Sequence, residues 1–201
     1  MEIFLIRHTR PLVATGICYG QTDLALADSF ESEAGIVRDS LPQHIGAVYS
    51  SPLQRCRLLA EWLFPEKPLN LSDDLMELNC GQWEMQHWDA IPKHELEPWM
   101  ADFTEVRVPG GESYRDLFAR TVQRYETVKA TVLQTGKPAA IVAHGGVIRS
   151  ILSHISGTSL ADSFRVFPLF YGAVASVQLE GNIIRMLSNI PGTPEQHRPS
   201  T

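Results

Sequence analysis

The sequence has little cysteine, no long apolar stretch and no excess of positive charge. Its 201 residues include only three cysteines, and these stand far apart, with no C-x-x-C pair and no zinc-binding spacing. We therefore expect reduced thiols instead of a disulfide framework or a metal centre. The seven histidines contain no H-E-x-x-H pattern. The sequence thus predicts no metal and no other cofactor.

The charge balance and the hydropathy argue against two further classes of protein. The net charge of −6 is the opposite of what a protein that coats nucleic acid carries. No apolar run approaches the roughly 20 residues of a membrane span. The first four residues lack the basic start of a signal peptide. We expect a cytoplasmic protein that binds neither nucleic acid nor a membrane, and its oligomeric state stays open.

Short apolar runs alternate with helical patterns along the chain. A helical pattern follows Pro52, a second begins at Ser113, where Ser113 and Asp116 resemble a capping box, and a third follows Gly145. This alternation predicts an α/β fold, a three-layer sandwich with a mostly parallel central sheet and helices on both faces. The short apolar runs predict strands that are buried on both faces. The dipeptide at 181–182 predicts a hairpin between the last two runs. The apolar runs lie at 3–6, 47–49, 69–71, 139–143, 175–179 and 183–187.

The domain organisation is simple. We expect one domain over residues 1–190 and a poorly ordered tail over residues 191–201. Residues 80–112 contain three of the four tryptophans among prolines, histidines and acids, which is typical of a lid or insertion. Those tryptophans either line a substrate or form the core of the lid.

Arginine and histidine recur where predicted strands end. Arg7 and His8 follow the first strand, Arg55 lies in the first turn of the helix after the second, and His144 follows the strand at 139–143. The carboxyl ends of parallel strands meet at one edge of a sheet, where ligands bind. Arginine offers a planar fork of donors to phosphate, and histidine can act as a nucleophile or as an acid and base. The pattern predicts a phosphate site.

With the segment at 77–84, these strand ends form a longer signature. The segments LIRH (5–8), SSPLQRC (50–56), ELNCGQWE (77–84) and AHGG (143–146) occur in an order that resembles the histidine phosphatase superfamily, the phosphoglycerate-mutase-like group, over nearly the whole chain. The segment CYGQTDL (18–24) resembles the α-ribazole phosphatase branch. That branch removes the 5′-phosphate from α-ribazole phosphate during assembly of the cobalamin lower ligand.

The resemblance implies a metal-independent hydrolase of small phosphomonoesters that works through a phosphohistidine. Two arginines and a second histidine would hold the phosphate without a metal. A neutral imidazole attacks phosphorus, and a carboxylic acid protonates the leaving alkoxide. The residues that match the family's roles are His8 as nucleophile, Arg7 and Arg55 as phosphate clamps, His144 as the second pocket histidine, Glu77 as proton donor and Gln21 as a polar phosphate contact.

Two departures from the family pattern leave local questions open. Thr9 and Arg10 stand where many members have glycine and glutamate, and Met85 stands where glycine is common. Arg10 suits either a second anionic group or a solvated edge. Other acids near Glu77 could also serve as the proton donor, and they are Asp73, Asp74 and Glu84.

Three other functions compete with this prediction. They are a phosphoglycerate-mutase-type phosphotransferase or isomerase, a non-catalytic phosphate-binding module, and a phosphatase acting on phosphohistidine proteins. A length of 201 residues argues against the mutases, which usually have longer chains, and the four strand-end arginines and histidines argue against the module. The sequence does not decide the physiological substrate or whether residues 80–112 close over it.

Overall fold

A single six-stranded sheet organises the chain in the computed structural model, which describes residues 1–191. The order across the sheet is β3-β2-β4-β1-β5-β6, and the first four strands in this order run parallel. β5 and β6 extend the sheet in the antiparallel sense. Every predicted strand is confirmed. The strands are β1 (Glu2–Arg7), β2 (Ala47–Ser50), β3 (Leu69–Leu71), β4 (Ala139–Ala143), β5 (Val174–Gln178) and β6 (Ile183–Ser188).

Helices cover both faces of the sheet, which confirms the three-layer α/β prediction. Because side chains alternate along a strand, Ile3 and Leu5 of β1 pack towards α4 and α5, whereas Phe4 and Ile6 pack towards α1 and α2. The helices predicted after Pro52, from Ser113 and after Gly145 are all present. The helices in the described chain are α1 (Phe30–Asp39), α2 (Gln54–Leu63), α3 (Lys93–Ala101), α4 (Tyr114–Thr135), α5 (Gly145–Ser156) and α6 (Ser163–Val166).

The longest of these helices, α4, has the predicted ends. The Ser113 hydroxyl accepts a hydrogen bond from the Asp116 N–H, and the Asp116 carboxylate accepts one from the Ser113 N–H, so the capping box is formed. The helix ends at Gly136, which adopts the left-handed conformation that glycine reaches without strain (φ +68°). No helix within residues 1–191 is both long enough and apolar enough to cross a bilayer.

β6 corrects one expectation about burial. β5 and β6 pair in the antiparallel sense and are joined by residues 179–182, in which Gly181 and Asn182 have positive φ, so the predicted hairpin is confirmed. However, the apolar run of β6 does not mark a strand buried on both faces, because β6 lies at the edge of the sheet and Ile183 is 44% exposed. The apolar residues of β6, which Arg185 interrupts, therefore did not identify a central strand.

The segment at 80–112 has a small core of its own. Trp83 is 1% exposed and Trp88 is also buried, and both rings contact the ring of Trp99. The Trp83 indole N–H donates to the Glu95 carboxylate at 2.8 Å. Of the two alternatives for the tryptophans, the structure favours the core of the segment over a substrate-lining role.

Met85 keeps the backbone shape that glycine adopts easily. Its φ is +64°, in the left-handed region, which costs a side-chain-bearing residue about 1–2 kcal/mol. The Met85 N–H donates to the Cys18 carbonyl at 2.8 Å, which ties this bend to the segment before residue 20. Met85 therefore adopts a conformation that glycine would adopt without this cost.

Two further sequence predictions concern the thiols and the tail. Cys18, Cys56 and Cys80 are each buried as free thiols, as expected. The tail was predicted over residues 191–201. All of it except Pro191 lies outside the described part of the chain.

Candidate active site

The strand register brings the predicted histidines together. Arg7 lies opposite Ala143 in the parallel β1–β4 pair, so His8 and His144 leave the same edge of the sheet side by side. Their ring centroids are 5.1 Å apart. Arg55, at the start of α2, is close enough for its charge to act on His144. The four residues that follow strand ends thus form one cluster.

The His8 ring has a defined tautomer and orientation. Its Nδ1 lies 2.7 Å from the Thr9 carbonyl oxygen. A carbonyl can only accept, so Nδ1 carries the hydrogen, and in the neutral ring the lone pair is on Nε2. The side chain is buried, and its ring centroid lies 5.5 Å from that of Tyr171. In the neutral ring, Nε2 is therefore the nitrogen that can act as an acceptor or a nucleophile.

His144 is a neutral histidine in a buried setting. Burial lowers its pKa well below 6.5, and the positive charges of Arg55 and Arg7 act in the same direction. Its Nε2 lies 2.9 Å from the Ser51 hydroxyl and 3.4 Å from the Cys56 sulfur. Burial raises the pKa of Cys56 to about 12, so this thiol stays protonated and is no candidate nucleophile.

Arg55 is a fully buried cation whose hydrogen-bond partners are neutral. Its Nη1 donates to the Thr22 carbonyl at 2.8 Å and its Nη2 to the Gly20 carbonyl at 2.5 Å. Its Nε is buried and, within the described residues, has no hydrogen-bond partner. A buried guanidinium compensated only by carbonyl dipoles favours binding of an anion.

The second arginine, Arg7, is held from the other side of the cluster. Its Nη1 donates to the Leu169 carbonyl at 2.8 Å, and its guanidinium carbon lies 4.3 Å from the centroid of the Tyr171 ring. A Cβ at Gly145 would lie 2.9 Å from Arg149 Nη1 and, at 3.4 Å, in ordinary contact with Arg7 Nε, so the Arg7 guanidinium lies beside the start of α5. The chain thus places two buried guanidinium groups at one sheet edge.

Glu77 lies in the same cluster. Its carboxyl oxygens accept hydrogen bonds from the Leu78 N–H and the Gly146 N–H, each at 3.0 Å, which fixes the group beside the start of α5. The predicted phosphate contact Gln21 uses its amide differently, because its Nε2 donates to the Glu77 carbonyl at 3.1 Å. The structure therefore places Gln21 against the backbone of the candidate acid.

The other candidate acids are less well placed. Asp73 and Asp74 lie exposed in a single turn of 3-10 helix. Glu84 is part-buried, but both of its oxygens already accept several hydrogen bonds from residues 20–22. Of the four acids, Glu77 is the one whose carboxyl group is held by the Gly146 N–H, two residues after His144.

Sequence reasoning missed the support behind Glu77. Arg120 donates from Nη2 to the Glu77 carbonyl at 2.9 Å and from Nη1 to the Met76 carbonyl at 2.7 Å. The same guanidinium binds both oxygens of Glu112, each at 2.8 Å. No local pattern signals these contacts, because they join α4 to a segment that precedes it by some 40 residues.

A pair of tyrosines was also missed. The hydroxyl groups of Tyr19 and Tyr171 are 2.7 Å apart, which links the loop before residue 20 to the segment before β5. The Tyr171 ring contacts Arg7, and the guanidinium carbon of Arg55 lies 5.6 Å from the Tyr19 ring. Each tyrosine ring therefore lies against one of the two arginines, and the hydroxyl contact links the two rings. Only Tyr19 stood in a segment that the sequence singled out.

Arg10 has an acidic partner outside the cluster. Its backbone N–H donates to the Glu33 carboxylate at 2.8 Å, and its Nε lies 3.9 Å from the same group. Of the two sequence alternatives for Arg10, a partly exposed edge fits these contacts. Within residues 1–191, no three His, Cys, Asp or Glu side chains are grouped so that they could hold a metal ion.

Comparison with known proteins places the chain among phosphoryl-transfer enzymes. Residues 3–188 match the model of the histidine phosphatase superfamily (branch 1). A metal-independent phosphoserine phosphatase of Arabidopsis thaliana is 29% identical over 80% of this chain and 71% of its own. A 2,3-bisphosphoglycerate-dependent phosphoglycerate mutase of Cytophaga hutchinsonii is 27% identical over 71% of each chain. The crystal structure of the alpha-ribazole phosphatase from Shigella flexneri superposes with a TM-score of 0.81 at 20% identity, covering 92% of this chain and 94% of that one.

Proposed function

Since this chain belongs to the histidine phosphatase superfamily (branch 1), and is therefore an enzyme with phosphatase chemistry, we propose that it hydrolyses small phosphomonoesters without a metal, through a phosphohistidine on His8. The observation that supports this most is the hydrogen bond from His8 Nδ1 to the Thr9 carbonyl. It directs the nucleophilic Nε2 to the edge of the sheet where Arg7, Arg55 and the neutral His144 converge.

The first half-reaction transfers the phosphoryl group to the enzyme. Arg7, Arg55 and His144 hold the phosphoryl oxygens and stabilise the charge that spreads over them in the transition state. The His8 Nε2 lone pair forms a bond to phosphorus while the bond from phosphorus to the ester oxygen breaks. Glu77 donates its proton to that oxygen, which leaves as an alcohol.

The second half-reaction restores the enzyme. Glu77, now a carboxylate, takes a proton from water as the water oxygen attacks phosphorus. The bond between phosphorus and His8 Nε2 breaks, inorganic phosphate leaves, and the ring returns to its neutral form. The Thr9 carbonyl keeps the same Nδ1 hydrogen in place through both steps.

For the substrate, we propose α-ribazole 5′-phosphate as the first compound to test. The support is the CYGQTDL segment at 18–24, since the likeness to the Shigella flexneri structure concerns the fold. Phosphoserine is the second candidate, because a relative at 29% identity is named a metal-independent phosphoserine phosphatase. A mutase reaction is the alternative from the same family, given the mutase relative at 27% identity.

A phosphate-release screen tests this proposal. It should compare α-ribazole 5′-phosphate with phosphoserine, sugar phosphates, nucleotides and phosphoglycerates. We expect release of inorganic phosphate, kcat unchanged after dialysis against EDTA because the arginines supply the positive charge, and inhibition by vanadate as a mimic of five-coordinate phosphorus. Transfer between positions of phosphoglycerate without phosphate release would favour a mutase. An activity lost on chelation and restored by a divalent ion would contradict the metal-free mechanism.

The contact between Gly146 and Glu77 gives a further prediction. A Cβ at residue 146 would lie 2.3 Å from Glu77 Oε1 and 2.9 Å from Leu117 Cδ2, so Gly146→Ala must displace the Glu77 carboxyl and shift the Leu117 methyl group. We expect about a 100-fold lower kcat for alkyl phosphates, the usual effect of a misplaced catalytic group, with a folded protein by circular dichroism. Gly35→Ala is the matched control, because nothing lies within 4 Å of its added Cβ. Full activity of Gly146→Ala would mean that the Glu77 position is not required.

A further inference from the structure

Glu84 binds the backbone of one short loop with both of its carboxylate oxygens. Oε1 accepts from the Gln21 N–H at 2.7 Å, and Oε2 accepts from the Thr22 N–H at 3.3 Å and from the Thr22 hydroxyl at 2.6 Å. The Gly20 N–H lies 3.1 Å from both oxygens. Oε1 also accepts from the Cys80 N–H at 3.2 Å. One side chain thus satisfies the amides of residues 20–22 and ties them to the segment that follows Glu77.

The carbonyl groups of that loop hold Arg55. The Gly20 and Thr22 carbonyls accept the two terminal nitrogens of its guanidinium. The loop therefore contacts Glu84 through its N–H groups and Arg55 through its C=O groups. With both terminal nitrogens engaged by the loop, the orientation of the buried Nε follows from the position of residues 20–22.

The loop has little freedom to find another position. A Cβ at Gly20 would lie 1.7 Å from the Leu78 carbonyl oxygen, so the backbone there is pressed against the segment after Glu77. On its far side, the Asp23 carboxylate accepts from the Gln54 N–H at 2.7 Å, at the start of the helix that carries Arg55. Removing the Glu84 acceptors leaves several amides unsatisfied in this confined place.

We propose that Glu84 is a positioning residue, which sets the phosphate-binding orientation of Arg55 through residues 20–22. The proposal rests on the proposed phosphatase function and extends it to a residue that does not touch the substrate. Glu84 is distinct from the acid Glu77, because its oxygens are used by backbone donors. The positioning role predicts that loss of the Glu84 carboxylate weakens phosphate binding and slows catalysis for every leaving group.

A double-mutant cycle tests the proposal. Glu84→Gln keeps the size but replaces one acceptor oxygen by a donor that faces N–H groups. We expect kcat/KM to fall about 10- to 100-fold for p-nitrophenyl phosphate and for an alkyl phosphate alike, with a parallel loss of vanadate affinity. In an Arg55→Ala background, the same change should cost less than about threefold, because the two residues act as one unit. Glu66→Gln, the same change at an exposed site, is the matched control.

Vanadate binding, measured by calorimetry, separates this proposal from the proposed function. A wild-type protein that releases no phosphate would contradict the function, whereas the binding cycle would still report the coupling of Glu84 to Arg55. Equal costs of Glu84→Gln in both backgrounds would overturn the positioning role, and so would a loss confined to alkyl phosphates, which would assign the acid to Glu84. If Glu84→Gln does not fold, Thr22→Val removes one donor to the carboxylate and should show the same coupling at smaller size.

Discussion

Replacing His8 by alanine is expected to lower phosphate release by at least about 10⁴-fold, because the covalent route then lacks its nucleophile. The arginines and His144 would still hold the phosphate, so vanadate or phosphate binding should be retained in part. His8 is buried, so circular dichroism and thermal unfolding must show that the variant is folded. His94→Ala is the matched control, because the His94 side chain is 82% exposed.

Trapping of the intermediate measures the same prediction directly. Rapid quenching of the wild-type enzyme with labelled substrate should give a labelled protein whose adduct is lost in acid and kept in base, as a phosphoramidate behaves. The label should be on Nε2, because the Thr9 carbonyl holds the hydrogen on Nδ1. An adduct that survives acid, or a label that persists in His8→Ala, would contradict the assignment of the nucleophile.

The second large effect concerns Glu77 as the leaving-group acid. Glu77→Gln keeps the size of the side chain and an oxygen that can accept from one of its two backbone donors, but it removes the transferable proton. We expect kcat for alkyl phosphates to fall by about 10²–10⁴, the usual contribution of a positioned acid or base. With p-nitrophenyl phosphate, phosphorylation should suffer much less, because that leaving group needs little protonation.

The initial burst is the quantity to compare, since the loss of a base for the second step could make dephosphorylation limit the steady state. A burst reduced equally with both substrates would mean that Glu77 is not the acid. The comparison with Glu84→Gln sharpens the test, because the two variants make the same chemical change a few residues apart. We expect Glu77→Gln to lose activity mainly with alkyl phosphates, and Glu84→Gln to lose activity equally with alkyl phosphates and p-nitrophenyl phosphate.

The neutral state of His144 lets two histidines lie together in the proposed phosphate site beside two arginines. Burial and the neighbouring arginines keep its pKa well below 6.5, so at pH 7 it adds a hydrogen-bonding ring without adding a charge. The adjacent Cys56 stays a thiol because burial raises its pKa to about 12. We infer that Arg7 and Arg55 supply the positive charge that binds phosphate, whereas the neutral His144 ring supplies a hydrogen bond that orients it.

The sequence by itself determined the scaffold and the residues at the strand ends. The apolar runs, the capping box at Ser113 and the glycines at 136 and 181 act through neighbours only a few residues away, so their effects can be predicted locally. Parallel strands have their carboxyl ends at one edge, and this rule alone placed His8 near His144. The helices α1, α3 and α6 escaped prediction, and α6 has only four residues. α3 contains Pro98, which is unfavourable within a helix, and α1 contains Gly35 and buries only two side chains.

Only the tertiary structure decided which groups the polar side chains outside the strand ends bind. Nothing local distinguishes Glu77 from Glu84, yet one accepts two N–H groups beside α5 and the other accepts the amides of residues 20–22. The support of Glu77 by Arg120 likewise joins segments that are distant in the chain. Such contacts depend on how the loops pack against the sheet. A hydrogen bond requires its two atoms to be placed within a few tenths of an ångström, and sequence spacing does not determine positions that precisely across a loop.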